Sequence, residues 1–273
     1  MNFAIIIILL LSQINILDKI YPSKISAYSY WFTTDKKLIP GEELNYVVSY
    51  SFINLGEIRI RVKDKKTVNG KDFYNAIAYI DSYDGIPFVN LHQIYESMVN
   101  ENYYSDFFRG IVKGEEYTTF TEYDFNYDQS VVKIKKGRFS PKEIWVDSTD
   151  KVEKQFHDGL SIFFFARMNS GKKSSMSLPC YVNEKKVITK INFYDNSIPV
   201  SVPVVDYEIK CVRLDGEMDF ISIFGLTGYF EGWFSNDEAS IPIAAHMKVI
   251  IGNIKLELKS WKREGWNPPK YKS

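Results

Sequence analysis

The sequence predicts a mainly β protein, built from a single curved antiparallel sheet that forms a barrel or half-barrel and holds one buried α-helix. Apolar and polar residues alternate with a period of two along most of the chain, short turns separate the alternating runs, and only one segment, at about residues 158–170, breaks the pattern. Alternation is typical of strands with one buried face. About a dozen such strands with short connections must pair antiparallel, because parallel strands need crossover helices.

The composition limits the class of protein. The chain has 273 residues, with 34 basic and 34 acidic side chains and two cysteines. A chain of this length can bury a sizeable core without disulfides or metals. Zero net charge argues against nucleic acid as a partner, since affinity for polyphosphates needs a basic excess.

The N-terminal segment predicts export. Residues 3–11 form an uninterrupted apolar run, which is too short to cross a bilayer because a spanning helix needs about 20 residues. We interpret residues 1–27 as a signal peptide, with an uncleaved anchor and a buried strand as alternatives. The predicted organisation is then one β-rich domain at residues 28–263 and a flexible, proline-containing tail at residues 264–273.

The first predicted strands show the alternation most clearly. Residues 44, 46, 48, 50 and 52 are apolar or aromatic and share one face, and a second run over residues 58–62 follows Asn54, Leu55 and Gly56, which read as a hairpin turn. The pairs Asn69-Gly70 and Asp215-Gly216 are further turn signals. Additional strands are expected at about 73–81, 90–98, 116–127, 130–136, 142–147, 175–182, 186–194, 204–213 and 228–235.

A change of phase near the C-terminus indicates curvature. Apolar residues occupy odd positions from Ile241 to Val249 and even positions from Ile254 to Leu258. A one-residue bulge at Gly252 would keep the same face buried on both sides. Such a bulge bends a strand, as a strongly curved sheet requires.

The exceptional segment predicts the helix. Asp158 is a good N-cap and Gly171 a good terminator. Leu160, Phe163, Phe164 and Met168 lie on one helical face, and the other face is also largely apolar, so the helix must be nearly fully buried. It would fill the concave side of the sheet or plug one end of the barrel. A buried strand remains the alternative.

Three short motifs occur in a suggestive order. The first is Ile-Pro-Gly-Glu-Glu-Leu-Asn-Tyr at residues 39–46, the second is Asp-Gly-Leu-Ser at 158–161 with Arg167 after it, and the third is Glu-Gly-Trp-Phe-Ser-Asn-Asp at 231–237. With these motifs the chain resembles the bacterial envelope proteins of domain-of-unknown-function family 3108. The resemblance implies an exported β-rich protein with no assigned chemistry. It suggests a periplasmic or otherwise exported location, with a peripheral position at the outer membrane as one option.

No catalytic or cofactor motif is found. The three histidines are too far apart in sequence to form a local metal motif, so we expect neither a metal nor a cofactor. Cys180 and Cys211 could form a disulfide in an oxidising compartment. However, a strand at 186–194 lies between theirs in a meander, which separates them by about 9.5 Å, so two buried free thiols are the alternative.

Arg167 stands out because it lies among aromatic residues. It could extend along the sheet edge as a helix-end arginine, meet a buried carboxylate, or stand at the mouth of an apolar cavity and receive an anionic head group. The aromatic excess has a similar double interpretation, as core filling or as the wall of a ligand groove.

The leading hypothesis is a noncatalytic exported envelope protein that binds an amphipathic ligand, a lipid or a glycan, between the sheet and the helix. An envelope hydrolase using paired carboxylates such as Glu231, Asp237 or Glu238, and a scaffold that binds another envelope protein, are the alternatives. No membrane-spanning helix is expected after removal of the signal. The residues expected to contact the ligand are Tyr46, Tyr50, Phe163, Phe164, Arg167 and Trp233.

Overall fold

The computed structural model describes residues 38–86, 89–220, 226–249 and 252–272. The predicted signal peptide lies outside these residues. Within them, fifteen strands and one helix are present. The strands are β1 (Glu43–Tyr50), β2 (Ile53–Val68), β3 (Lys71–Ser82), β4 (His92–Asn100), β5 (Ser105–Lys113), β6 (Thr118–Asn126), β7 (Val131–Arg138), β8 (Glu143–Lys151), β9 (Ser174–Val182), β10 (Lys185–Phe193), β11 (Ile198–Val200), β12 (Ile209–Met218), β13 (Leu226–Ser235), β14 (Pro242–Val249) and β15 (Gly252–Lys262), and the helix is α1 (Ser161–Asn169).

All of these strands belong to one antiparallel sheet, as the sequence predicts. The order is β8-β7-β6-β5-β4-β3-β2-β1-β15-β14-β13-β12-β10-β9, with β11 paired to β12. The ladder is not closed, because β8 and β9 are the two ends of this order and do not pair. The sheet is therefore an open, barrel-like structure.

The two ends of the sheet are nevertheless held together by side chains. The ring of Tyr181 on β9 lies 5.2 Å from that of Tyr123 on β6, and Lys186 on β10 forms an ion pair of 3.1 Å with Glu153, just after β8. The segment after β8 adds backbone bonds, since Tyr181 N donates to His157 O at 2.8 Å. These contacts require the sheet to curl round on itself.

The connectivity gives the sheet two distinct ends. The β1–β2, β3–β4, β12–β13 and β14–β15 connections lie at one end, which we call the tip end. The β2–β3, β4–β5 and β13–β14 connections lie at the opposite end, which we call the base end. This follows because successive strands of an antiparallel meander alternate in direction.

Helix α1 is confirmed and is shorter than predicted. The Asp158 carboxylate accepts hydrogen bonds from the backbone N–H groups of Leu160 at 2.6 Å and Ser161 at 2.7 Å, which satisfies donors that the first helical turn leaves free. Gly171 follows the helix with φ of +75°. Its predicted role as terminator agrees with this left-handed conformation.

The turn signals had mixed outcomes. The Asn69-Gly70 turn between β2 and β3 is confirmed, with positive φ at both residues. The turn predicted at residues 54–56 is wrong: the chain reverses at residues 51–52, and residues 54–56 belong to β2. The register between β1 and β2 shifts where Val48 pairs with Gly56 and Ser49 with Asn54, so Leu55 is an extra residue within β2 and the turn falls at residues 51–52.

Two glycine interpretations are also wrong. Asp215-Gly216 lies inside β12 rather than in a turn. A Cβ on Gly216 would lie 2.2 Å from Lys190 O, so glycine is needed there for close approach of the strands. The phase change at Gly252 is a hairpin rather than a bulge, because Val249 pairs with Gly252 across β14 and β15.

The C-terminal segment differs from the predicted flexible tail. Trp266 is only 9% exposed, and its indole N–H donates to Asp237 at 2.8 Å. Lys210 N donates to Pro269 O, and Tyr271 N donates to Glu208 O. Residues 264–272 are therefore docked against the sheet by hydrogen bonds that the proline pattern does not reveal.

Candidate functional site: an apolar cavity under the helix

A cavity of about 220 Å³ lies between α1 and the concave face of the sheet. It is large enough for an organic ligand, since an engineered cavity of about 150 Å³ in another protein binds benzene. Its lining is almost entirely apolar, because alternation directs one face of each surrounding strand inwards. The side chains come from β1–β4, β9, β10, β12–β15 and α1, and they include Tyr46, Ile60, Phe163, Phe164, Phe230 and Leu256.

The cavity opens towards the tip end. Along β15, the lining residues Ile254 and Leu256 are half-buried, whereas Leu258, nearer the base end, is buried. The same gradient occurs along β1, where Val48 is half-buried and Tyr46 is buried. Leu91 marks the mouth, because it lines the cavity and is 41% exposed.

The base end is closed by a buried charge cluster. Arg167 of α1 is 2% exposed and forms a two-pronged pair with Glu42, at 2.5 Å and 2.9 Å. Its Nε also donates to Ala239 O at 2.9 Å. Arg263, after β15, donates to the same carboxylate. The cluster thus connects α1, the start of β1, the end of β15 and the β13–β14 connection.

The charge state of Glu42 follows from these contacts. Burial alone would raise the pKa of Glu42, but the adjacent guanidinium groups of Arg167 and Arg263 hold it below its ordinary value. Glu42 is therefore a carboxylate at neutral pH, and the bidentate geometry fixes the orientation of Arg167. Since three of the N–H groups of Arg167 donate to protein oxygens, the residue serves as a structural anchor at the base of the cavity.

A second polar group supports the beginning of the helix. Asp158 lines the cavity and also accepts a hydrogen bond of 2.5 Å from Ser97 Oγ. Burial raises the pKa of Asp158, although these hydrogen bonds oppose the rise. The neighbouring His157 is fully buried, and burial lowers its pKa to about 3, so its ring is neutral at physiological pH. Its Nδ1 lies 3.1 Å from Tyr103 O.

The structure brings four of the six predicted ligand residues to the cavity: Tyr46, Phe163, Phe164 and Arg167. Tyr50 is not among the lining residues; it lies next to the β1–β2 turn and is 41% exposed. Trp233 lies on the outer side of β13, where its ring meets that of His246 at 4.9 Å.

Sequence reasoning missed the partner of Arg167. Glu42 and Arg167 belong to two of the short motifs described above, but they are separated by 125 positions in the chain. Their order alone gave no reason to pair them. The one available signal was Arg167 itself, a charged residue among apolar neighbours, since a buried charge needs an opposite partner.

The candidate hydrolytic carboxylates occupy separate places. Glu231 is among the residues that line the cavity, and its carboxylate contacts Arg213 at 3.2 Å and His246 at 3.1 Å. Asp237 accepts from Ser235 Oγ, Ser240 N and Trp266 Nε1. Its three hydrogen bonds organise the β13–β14 connection. Glu238 is exposed.

The described part of the chain holds neither a metal-binding cluster nor a membrane-spanning helix. It contains no group of three or more His, Cys, Asp or Glu residues arranged to hold a metal ion. It also contains no helix with the length and apolar character needed to span a membrane. Cys180 and Cys211 are buried free thiols, and β10 lies between their strands as predicted.

The fold and the cavity define a class: a curled, open antiparallel sheet that wraps one helix and an apolar cavity. The chain belongs to the family of proteins of unknown function DUF3108, which it matches over residues 45–259. This confirms the resemblance indicated by the three sequence motifs. A comparison with curated proteins finds no match.

Two solved structures are similar in fold. A β-barrel-like protein of the domain of unknown function DUF1849 from Brucella abortus is 10% identical, with a TM-score of 0.48 over 82% of this chain and 98% of its own. A Bacteroides fragilis protein with a YmcC-like fold, inferred to be exported, is 9% identical, with a TM-score of 0.34 over 82% and 97% of the two chains. These similarities concern the fold alone.

Proposed function

We propose that this protein is a noncatalytic, exported envelope protein that holds the acyl chain of a lipid in the cavity under α1. The observation that carries the proposal is the cavity itself, about 220 Å³ in volume and lined almost wholly by aliphatic and aromatic side chains. Transfer of an acyl chain from water into such a space is favourable in proportion to the apolar area removed from water.

The lining favours a lipid over a glycan. A sugar carries many hydroxyl groups, each of which needs a hydrogen-bond partner when it is buried. Two of the charged residues that line the cavity already have partners: Arg167 is bound to Glu42 and to Ala239 O, and Asp158 to Ser97 and two backbone N–H groups. An acyl chain needs no such partner.

The direction of the ligand follows from the cavity's two ends. The Glu42–Arg167–Arg263 cluster closes the base end, while Leu91 marks the mouth at the tip end. An acyl chain would therefore enter from the mouth with its terminal methyl group leading, and the polar head group would remain at the mouth, in contact with solvent. Residues 1–27 supply the export signal in this proposal.

Titration with cis-parinaric acid tests the proposal, because this fatty acid becomes fluorescent in an apolar site. The wild-type protein should bind it saturably. Replacement of Ala78 or Ala245, two small lining residues, by Leu fills part of the cavity and should weaken binding by about tenfold, the effect of about 1.4 kcal/mol. Ile188→Phe adds comparable bulk at an exposed position on β10 and should leave binding unchanged.

Two results would contradict the proposal. One is the absence of saturable fluorescence with a wild-type protein whose circular dichroism shows the folded sheet. The other is equal binding by wild type, A78L and A245L, which would place the probe elsewhere on the surface.

A further inference from the structure

The turn between β1 and β2 forms an exposed apolar tip. The chain reverses within two residues, Ser51 and Phe52, and the flanking residues Tyr50 and Ile53 pair across the hairpin. Phe52 is 91% exposed, Tyr50 41% and Ile53 45%. A single exposed apolar side chain is ordinary on a protein surface, but three on one narrow projection form a small exposed apolar patch.

This tip lies at the same end of the sheet as the cavity mouth. Val48, which lines the cavity, precedes Tyr50 by two residues on β1. On the other side of β2, the mouth residue Leu91 accepts a backbone hydrogen bond from Ser82, which in turn pairs with Gly56 of β2. Apolar side chains therefore extend from the cavity lining, through its mouth, to the hairpin tip.

The tip carries no charge that would select a charged partner. Residues 49–56 contain no Asp, Glu, Lys or Arg. The only driving force that the tip offers is removal of apolar surface from water, and aromatic side chains are favoured at the boundary between lipid head groups and acyl chains. A narrow projection of this kind suits a fluid lipid layer, which requires no matching pocket.

We propose that the β1–β2 tip inserts Phe52 and Ile53 into the surface of a lipid bilayer and thereby brings the cavity mouth to the acyl chains. The proposal rests on the proposed function in so far as the bilayer supplies the ligand. Membrane binding is driven by apolar contact, so it occurs with neutral phosphatidylcholine and persists when salt screens charges.

A fluorescent label at the tip tests this contact. The variants F52C and V68C place one new thiol at the tip and one at the exposed end of β2, at the base end. Because both native cysteines are buried, an NBD label reacts at the introduced thiol. On addition of neutral phosphatidylcholine vesicles, the label at position 52 should shift to shorter wavelength and brighten at both low and high salt, while the label at position 68 should not change.

Unlabelled variants give the strength of the contact. F52A should lower the partition coefficient for the same vesicles by about tenfold, since loss of a buried Phe side chain removes at least about 1.4 kcal/mol. V68A, which removes exposed apolar surface at the base end, should leave it unchanged. All variants keep the same N-terminal segment, so the contribution of that segment is common to every measurement.

The outcomes separate this inference from the proposed function. No change at position 52, equal changes at positions 52 and 68, or a response to another protein but not to vesicles would overturn bilayer docking. If the tip fails this test while cis-parinaric acid still binds, the cavity retains its ligand and only the docking is lost. If the label at the tip responds to vesicles but cis-parinaric acid does not bind, bilayer docking is supported and the proposed acyl-chain binding is contradicted.

Discussion

The structural role of Arg167 can be assigned only once its partner is known. Among phenylalanines it could be a surface arginine or an anion receptor, and the structure instead pairs it with Glu42 in the interior. The sequence supports the presence of a buried charge there but not its partner. Pairing across 125 positions depends on how the whole sheet curls, which no local pattern contains.

Removing one member of this pair should destabilise the fold strongly. R167M leaves Glu42 buried with only Arg263 beside it, and loss of one partner of a buried ion pair costs about 3–5 kcal/mol. Urea unfolding should show this as a lower midpoint. The double variant E42Q/R167M should lose less than the sum of the two single losses, because the uncompensated carboxylate is gone. Strictly additive losses would contradict the direct pairing.

His157 makes stability depend on pH in a defined direction. Burial lowers its pKa to about 3 from 6.5, so the unfolded chain takes up a proton at a higher pH than the folded protein does. The contribution of neutral His157 to the free energy of unfolding has its full value above about pH 6.5. Below that pH it falls by about 1.4 kcal/mol per pH unit, until the pKa of the folded protein is reached. The raised pKa of Asp158 acts in the opposite direction.

The difference between wild type and H157F isolates the histidine from the other titrating groups. Phe keeps the aromatic packing against Tyr104 and Phe165, although it loses the contact with Tyr103 O. The unfolding free energy of H157F should therefore fall less steeply than that of wild type between pH 6.5 and 4. Parallel curves would show that His157 is not buried in its neutral form.

At the scale of elements, alternation located most strands because each has one buried face. The alternation pattern gave wrong turn positions where strand pairing changes which residues, odd or even, face inwards. The register shift at Val48 and Ser49 moved the first turn, and the β14–β15 hairpin was mistaken for a bulge. Strand β5 was missed altogether, because adjacent Phe107 and Phe108 and the glycine at 110 interrupt its alternation.

Glycine in β12 gives a test of how closely the strands approach each other. In G216A the new methyl group would lie 2.2 Å from Lys190 O and 2.4 Å from the ring of Phe230, so the sheet must shift, at a cost of about 1–3 kcal/mol. G232A on β13 is the matched control, because its methyl group would meet side chains at 3.4 Å or more. Equal thermal midpoints for the two variants would show that the spacing of these strands differs from that described.

At the scale of the whole molecule, the curled sheet and the helix were predictable, whereas the contacts between segments distant in sequence were not. The period of the pattern reports which face of a strand is buried. It carries no information on which distant segments meet, such as the docking of residues 264–272 or the contacts of Tyr181 with β6. The cavity depends on these same long-range contacts, so its existence could be proposed but its lining could only be partly named.

The docked C-terminal segment should contribute to global stability. W266A removes a nearly buried indole and its hydrogen bond to Asp237, which should cost about 3–5 kcal/mol. Chemical unfolding should show a single transition with a lower midpoint. K272A, at an exposed position in the same segment, should match wild type. An unchanged midpoint for W266A would restore the interpretation of this segment as a flexible tail.

The most direct test of the central claim is photo-crosslinking with a fatty acid that carries a diazirine near its terminal methyl group. After irradiation of the folded protein, peptide mass spectrometry locates the adducts. The account predicts adducts on the cavity lining, at Phe163, Phe164 or Tyr46, and their suppression by excess unlabelled fatty acid. Adducts confined to outer-face residues such as Trp233, or labelling that excess fatty acid does not reduce, would contradict it.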